Sequence, residues 1–142
     1  MERTPDYPPT LFLIKPDGVR RRLIGEIVGR IEATGLTIQQ MVRCRLTTAS
    51  AQALYVGHLG QPYFERLVAT LVEDTVMALA VSGPEAVARL RALQGPAFGA
   101  LPGTIRGDFM LERPYTVTHT SDSPDEAHRE MLLFSGFGIL KY

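Results

Sequence analysis

Leu36-Thr37-Ile38-Gln39-Gln40-Met41-Val42-Arg43-Cys44-Arg45-Leu46 alternates apolar and polar residues with a period of two. Side chains along a strand point to opposite faces in turn, so the pattern predicts a long strand. Leu36, Ile38, Val42, Cys44 and Leu46 share one face, broken only by Gln40, while Thr37, Gln39, Arg43 and Arg45 lie on the other. One wet face argues against burial on both sides, and so against a doubly wound parallel sheet.

The rest of the chain follows from this strand. Met1 to Pro9 carries three prolines and no periodicity, so it reads as a loose arm. Thr10 to Ile14 is a continuous apolar run, a buried strand by length, closed by a turn at Lys15-Pro16-Asp17-Gly18. Leu23, Ile24, Ile27, Val28 and Ile31 recur at helical spacing, and Gly35 stops that helix. Two short helices are expected at Thr48–Gly57 and Pro62–Leu71, separated by Gly60, and a strand at Thr75–Val81. Ser82 to Glu85 opens another helix with Val87, Leu90 and Leu93 inward. Gly95 to Pro114 has no period, and a stretch of that length is usually functional or disordered. Tyr115–His119 is the last strand and Pro124–Phe134 the last helix, with Ser123, Pro124 and Glu126 forming a capping box. This order is that of an α/β (α+β) sandwich of the ferredoxin-like βαββαβ kind, a four-stranded antiparallel sheet with helices on one face. A single domain over residues 1–142 is expected.

Formal net charge is zero, so no global field draws the chain to nucleic acid or to an anionic membrane. The run Arg20-Arg21-Arg22 reads as a solvated face. Cys44, the single cysteine, forms no internal disulfide and reads as a small core residue. Neither a signal peptide nor an apolar run long enough to span a bilayer is visible, so a cytoplasmic protein is expected.

His119 stands between the last strand and a capped helix start, where a helix N-terminus favours anions. Two readings are open: a histidine that closes a strand, or a nucleophile or proton carrier in phosphate chemistry. No Walker loop and no protein-kinase catalytic loop is present, so phosphate chemistry needs other parts. Lys15 at a strand end is either a phosphate cation or an ordinary charge. Arg106, in Gly103-Thr104-Ile105-Arg106-Gly107-Asp108, lies in a loop where backbone and guanidinium both approach an anion. Arg91 either joins it or caps its own helix, and Glu130 either orients His119 or is a solvated helix charge. His58 and His128 read as surface residues without a role.

Three segments together resemble the nucleoside diphosphate kinase family: Leu13 to Val19, Pro102 to Phe109, and His119 to Ser123. They stand in the family's order and at nearly its spacing, and the resemblance runs from about Thr10 to about Phe134. It implies a ferredoxin-like sandwich and a ping-pong transfer of the terminal phosphate of a nucleoside triphosphate to a nucleoside diphosphate. By the same resemblance His119 is the phosphorylated residue, Glu130 orients it and Ser121 supports Glu130. Lys15, Arg91 and Arg106 hold the phosphates, Tyr55 lies close to the histidine, and Tyr63 takes the place of an aromatic that stacks on the base. Magnesium is implied as an ion carried by the nucleotide, with no metal cage in the protein. A homo-oligomer built from dimers is implied as well, with Thr37, Gln39, Met41 and Arg43 offering a mixed face to a symmetry mate.

The chain departs from the family pattern at three places. Gly95-Pro96-Ala97 follows directly where a threonine that touches phosphate is usual, Thr116 replaces a sugar- and phosphate-binding asparagine, and Thr120 replaces a glycine and adds bulk. The alternative these departures raise is a kinase-like nucleotide-binding or regulatory module with weakened turnover. A nucleic-acid-binding scaffold lacks the basic-aromatic stripe it would need.

Overall fold

The computed structural model describes residues 6–142. Met1 to Pro5 of the expected arm lie outside the described residues, and residues 6–9 form neither helix nor strand.

Four strands form one antiparallel sheet in the order β2-β3-β1-β4. They are β1 (Thr10–Ile14), β2 (Thr37–Cys44), β3 (Val76–Ser82) and β4 (Thr118–Thr120). The helices are α1 (Pro16–Arg20), α2 (Ile24–Ala33), α3 (Thr48–Leu54), α4 (Phe64–Val72), α5 (Ala86–Gln94), α6 (Ile105–Phe109) and α7 (Pro124–Gly136), with a 3-10 turn at Val56–His58. Every residue of β1 and β3 is buried, as uninterrupted apolar runs require of central strands.

The helices cover both faces of the sheet, not one. Leu11, Leu13, Ala78 and Ala80 pack with Leu54, Phe64, Leu71, Met131 and Phe134 from α3, α4 and α7. Phe12, Ile14, Leu79 and Val81 pack with Ile27, Ile31, Leu90 and Ile105 from α2, α5 and α6. Each large apolar side chain fully buried this way stabilises the fold by roughly 1.5–3 kcal/mol relative to exposure.

The expected common face of β2 is also corrected. Ile38 pairs with Val81 and Gln40 with Ala80, so Gln39 is an extra residue in a β-bulge. A one-residue insertion exchanges the two faces beyond it. Leu36 and Ile38 therefore join the cluster under α2 and α5, whereas Val42, Cys44 and Leu46 join the opposite one. Gln40, the residue that broke the pattern, holds the chain's end: its amide donates to Lys141 O and accepts from Lys141 N–H, both at 2.7 Å. Cys44 is half-buried, and burial pushes its thiol up.

Three local expectations change near the site. Lys15 to Gly18 is not a plain turn but opens α1, with Pro16 at the first helical position, where its missing N–H is harmless. The period-free stretch contains α6, capped by Thr104, whose Oγ1 accepts from Gly107 N–H at 2.9 Å. The last strand is Thr118–Thr120, shorter and later than expected. Ser123 does cap α7, accepting from Glu126 N–H at 3.1 Å. The carboxylate of Glu126 pairs with Arg129, so the capping box is not completed from that side.

Candidate active site

β4 is an edge strand bonded only to β1, and His119 pairs with Leu13. His119 Nε2–H donates to Glu130 Oε1 at 2.8 Å. Ser121 Oγ donates to the same oxygen, also at 2.8 Å. Glu130 projects from α7 and is buried, and its other oxygen lies 4.0 Å from Arg129. A buried carboxylate accepting at Nε2 keeps the proton on that nitrogen and leaves the lone pair on Nδ1. The buried Tyr55 ring stands edge-on to the imidazole with centroids 5.5 Å apart. Burial holds the Tyr55 phenol well above its usual range, so it stays neutral.

The strand is late because of Val117. This β-branched residue has φ +67°, a region that normally costs about 1–3 kcal/mol. Thr118 N–H donates to Thr116 O at 2.7 Å and closes a three-residue γ-turn. Two contacts from the first strand–helix junction hold it: Val117 N–H donates to Asp17 Oδ2 at 3.0 Å, and Lys15 N–H donates to Val117 O at 2.8 Å. The turn aims Thr116 into a cavity of about 890 Å³ that His119 and Thr120 also line.

Three cations were expected here, and the structure places them differently. Arg106 lines the cavity, and its guanidinium donates to Thr116 O (3.1 Å), Gly95 O (3.2 Å) and Thr118 O (3.0 Å). It thereby fixes both sides of the γ-turn, and desolvation lowers its pKa. Arg91 is exposed on the cavity wall and donates to Asp122 O at 2.7 Å. Lys15 is fully buried behind Thr116 and not on the wall, with Nζ donating to Thr116 Oγ1 at 3.0 Å and Pro114 O at 3.4 Å. Burial lowers its pKa to about 8, opposed by the nearby Asp17 carboxylate and reinforced by Arg106.

Tyr63 lines the cavity, half-exposed, with its hydroxyl 2.8 Å from His58 Nδ1. His58 is thus not a free surface residue: it lines the cavity between the rings of Tyr55 and Tyr63. Its three-residue spacing from Tyr55 was the available signal. Arg66, Phe98 and Arg113 also line the cavity, with the Arg113 guanidinium 3.5 Å over the Phe98 ring. Phe98 and Arg113 fall in the period-free stretch, where spacing carries no information. His128 lies apart, bonded to the Tyr142 hydroxyl. Among the described residues, no three His, Cys, Asp or Glu side chains are grouped to hold a metal ion. The site therefore offers an oriented nucleophilic nitrogen beside cations and hydroxyls, a setting suited to a phosphate-bearing ligand.

The family model for nucleoside diphosphate kinase matches residues 9–137. The nucleoside diphosphate kinase of Mycolicibacterium vanbaalenii is 48% identical over 128 residues, 88% of this chain and 94% of that one. That of Ignicoccus hospitalis is 45% identical over 124 residues, 86% and 84% of the two chains. Among solved structures, the halophilic nucleoside diphosphate kinase of Halobacterium salinarum in complex with CDP superposes with a TM-score of 0.88 at 34% identity, covering 96% of this chain and 93% of that one. The Aquifex aeolicus nucleoside diphosphate kinase gives 0.86 at 30% identity, covering 95% and 100%.

Proposed function

The chain belongs to the nucleoside diphosphate kinase family, and on that premise we propose that its phosphotransferase reaction runs through a phosphohistidine at His119. The observation that carries the proposal is the pair of hydrogen bonds on Glu130 Oε1, which ties up Nε2 and leaves Nδ1 as the nucleophile. In the first half-reaction Nδ1 attacks the terminal phosphorus of a nucleoside triphosphate. The N–P bond forms, the bond to the bridging oxygen breaks, and the diphosphate leaves with that oxygen. The ring keeps its Nε2 proton, and the Glu130 carboxylate balances the positive charge the ring gains. In the second half-reaction a terminal oxygen of another nucleoside diphosphate attacks the phosphorus and the N–P bond breaks. Splitting the transfer lets two bulky nucleotides use one site in turn.

Arg106 and Arg91 compensate the spreading phosphate charge. Lys15 donates to Thr116 Oγ1, leaving the Thr116 hydroxyl proton for a phosphate or sugar oxygen. Tyr63 supplies a face for the base, and stacking accepts any base. Asp122 is the carboxylate on the cavity wall and it faces Arg91, so magnesium fits as an ion held by the nucleotide's own phosphates. When bound with the nucleotide, that ion would neutralise part of the phosphate charge. The CDP bound to the Halobacterium relative supports a nucleoside diphosphate as ligand. The kinase relatives speak against a purely regulatory module. We further propose one domain and a homo-oligomer built from dimers paired through β2, an outer strand of the sheet; the bulge at Gln39 divides the single face expected to carry Thr37, Gln39, Met41 and Arg43. We place the protein in the cytoplasm; among the described residues no helix is long and apolar enough to cross a membrane.

The test is two-substrate kinetics. A phosphoenzyme requires parallel double-reciprocal lines as the second nucleotide is varied; intersecting lines refute it.

A further inference from the structure

A single glutamine holds the two threonines that flank His119. Gln94 is the last residue of α5 and is only 7% exposed. Its Oε1 accepts from Thr118 Oγ1 at 2.7 Å, and its Nε2 donates to Thr120 Oγ1 at 3.0 Å. Burial decides this orientation. Thr118 is 0% exposed, so its hydroxyl proton has no water to turn to and must be accepted by the amide oxygen. The amide nitrogen then faces Thr120 and occupies a lone pair of that oxygen. Among the described residues, the Thr120 hydroxyl proton itself meets no acceptor.

Thr120 lies on the wall of the same cavity as His119, Thr116 and Arg106. Strand alternation turns its side chain, 4% exposed, to the face it shares with Thr118 and away from the face of the His119 imidazole, so it meets the cavity from the α5 side. On the other side of the nucleophile, the Thr118 carbonyl is bound by Arg106 at 3.0 Å. A hydroxyl whose oxygen is fixed by a buried amide, and whose proton is unused at the cavity wall, is a preorganised donor. We infer that Thr120 is a further substrate-binding residue, donating to a phosphate oxygen of the nucleotide, and that Gln94 is the residue that positions it. This inference rests on the phosphotransfer reading above. The group recognised is an anionic phosphate oxygen, since the guanidiniums of Arg91 and Arg106 line the same cavity.

The experiment measures kcat and KM for ATP, the dissociation constant for ADP, His119 labelling from γ-labelled ATP, and the thermal midpoint. The proteins are the full chain and its Thr120→Val, Thr120→Ser and Thr120→Ala variants. Thr120→Val keeps the shape and removes the donor. It is expected to raise KM and weaken ADP by about tenfold or more, the usual consequence of a lost hydrogen bond to a charged group. The loss falls on KM because the donor serves ground and transition states alike. Thr120→Ser restores binding, and Thr120→Ala shows the same loss should the valine variant fail to fold. A fall in thermal midpoint with unchanged KM and unchanged ADP binding in the folded valine or alanine variant overturns the inference, because it leaves Thr120 only a packing role. An unlabelled wild-type protein overturns the phosphohistidine reading itself, so the two failures are told apart.

Discussion

Lys15→Met should make the protein more stable and less able to bind nucleotide. Burial lowers the pKa of Lys15 from its ordinary 10.5 to about 8. That lowering corresponds to roughly 3 kcal/mol of destabilisation while the group is charged in both folded and unfolded chains. Methionine has similar length and no charge to desolvate, so the substitution removes this penalty. Against it stand Thr116 Oγ1 and Pro114 O, which lose their donor at roughly 1–3 kcal/mol in total. The expected balance at pH 7 runs from neutral to about 2 kcal/mol in favour of the variant, with about 2–4 °C in thermal midpoint for each kcal/mol. The pH profile is more diagnostic. Between pH 8 and 10.5 the folded chain holds Lys15 neutral while the unfolded chain still holds it charged. The unfolded state binds more protons there, so wild-type stability rises with pH across that window. Below pH 8 the penalty is constant, and above 10.5 it is gone. Urea denaturation of both proteins from pH 7 to 10.5 isolates the effect, because other titrating groups are common to both. The difference curve should shift by roughly 3 kcal/mol in favour of wild type. A flat curve, or one that moves the other way, refutes the reasoning. Nucleotide affinity of the free wild-type enzyme should fall over the same window as the charge is lost.

Asp17→Ala leaves the Val117 N–H without its acceptor and should destabilise the protein by about 1–3 kcal/mol with a drop in kcat, while Asp17→Asn restores most of both; urea midpoints and kinetics on the pair check this. Thr116→Asn offers a longer amide in place of the hydroxyl and should tighten nucleotide binding by roughly tenfold. A rise in KM together with a fall in kcat/KM in that variant would show that the γ-turn has found its own contacts. Light scattering at micromolar protein should report a dimer or a multiple of it, and a monodisperse monomer with full phosphotransfer would refute the proposed assembly.

The legible parts of the fold were those governed by local pattern. Thr10–Ile14 was readable as a buried strand because all five residues are apolar or β-branched, and the Ser123–Pro124 start of α7 because capping is a short-range signal. The bulge at Gln39 was not readable. It depends on which β3 residue each partner meets, and its effect is to move Val42 and Cys44 to the face opposite Ile38. Val117 misled for the converse reason: a β-branched residue reads as strand, and only the distant Asp17 and Lys15 hold it at positive φ. In the site, the strand-to-capped-helix setting brought out His119, and the family resemblance singled out Glu130 and Ser121. The resemblance also implied that Lys15 holds the phosphates, whereas its side chain sits behind Thr116. Thr120 read as added bulk, and its amide partner Gln94 lies 26 residues away, beyond any local pattern.

The most direct measurement combines labelling with phosphorus NMR. The protein is incubated with γ-labelled ATP and magnesium, freed of nucleotide, and examined before and after addition of an unlabelled nucleoside diphosphate. The account predicts an acid-labile, base-stable phosphoryl group bonded to Nδ1 of His119, absent from His119→Ala and fully chased onto the added diphosphate. Undiminished labelling of His119→Ala, or phosphorus found on Nε2, would contradict it.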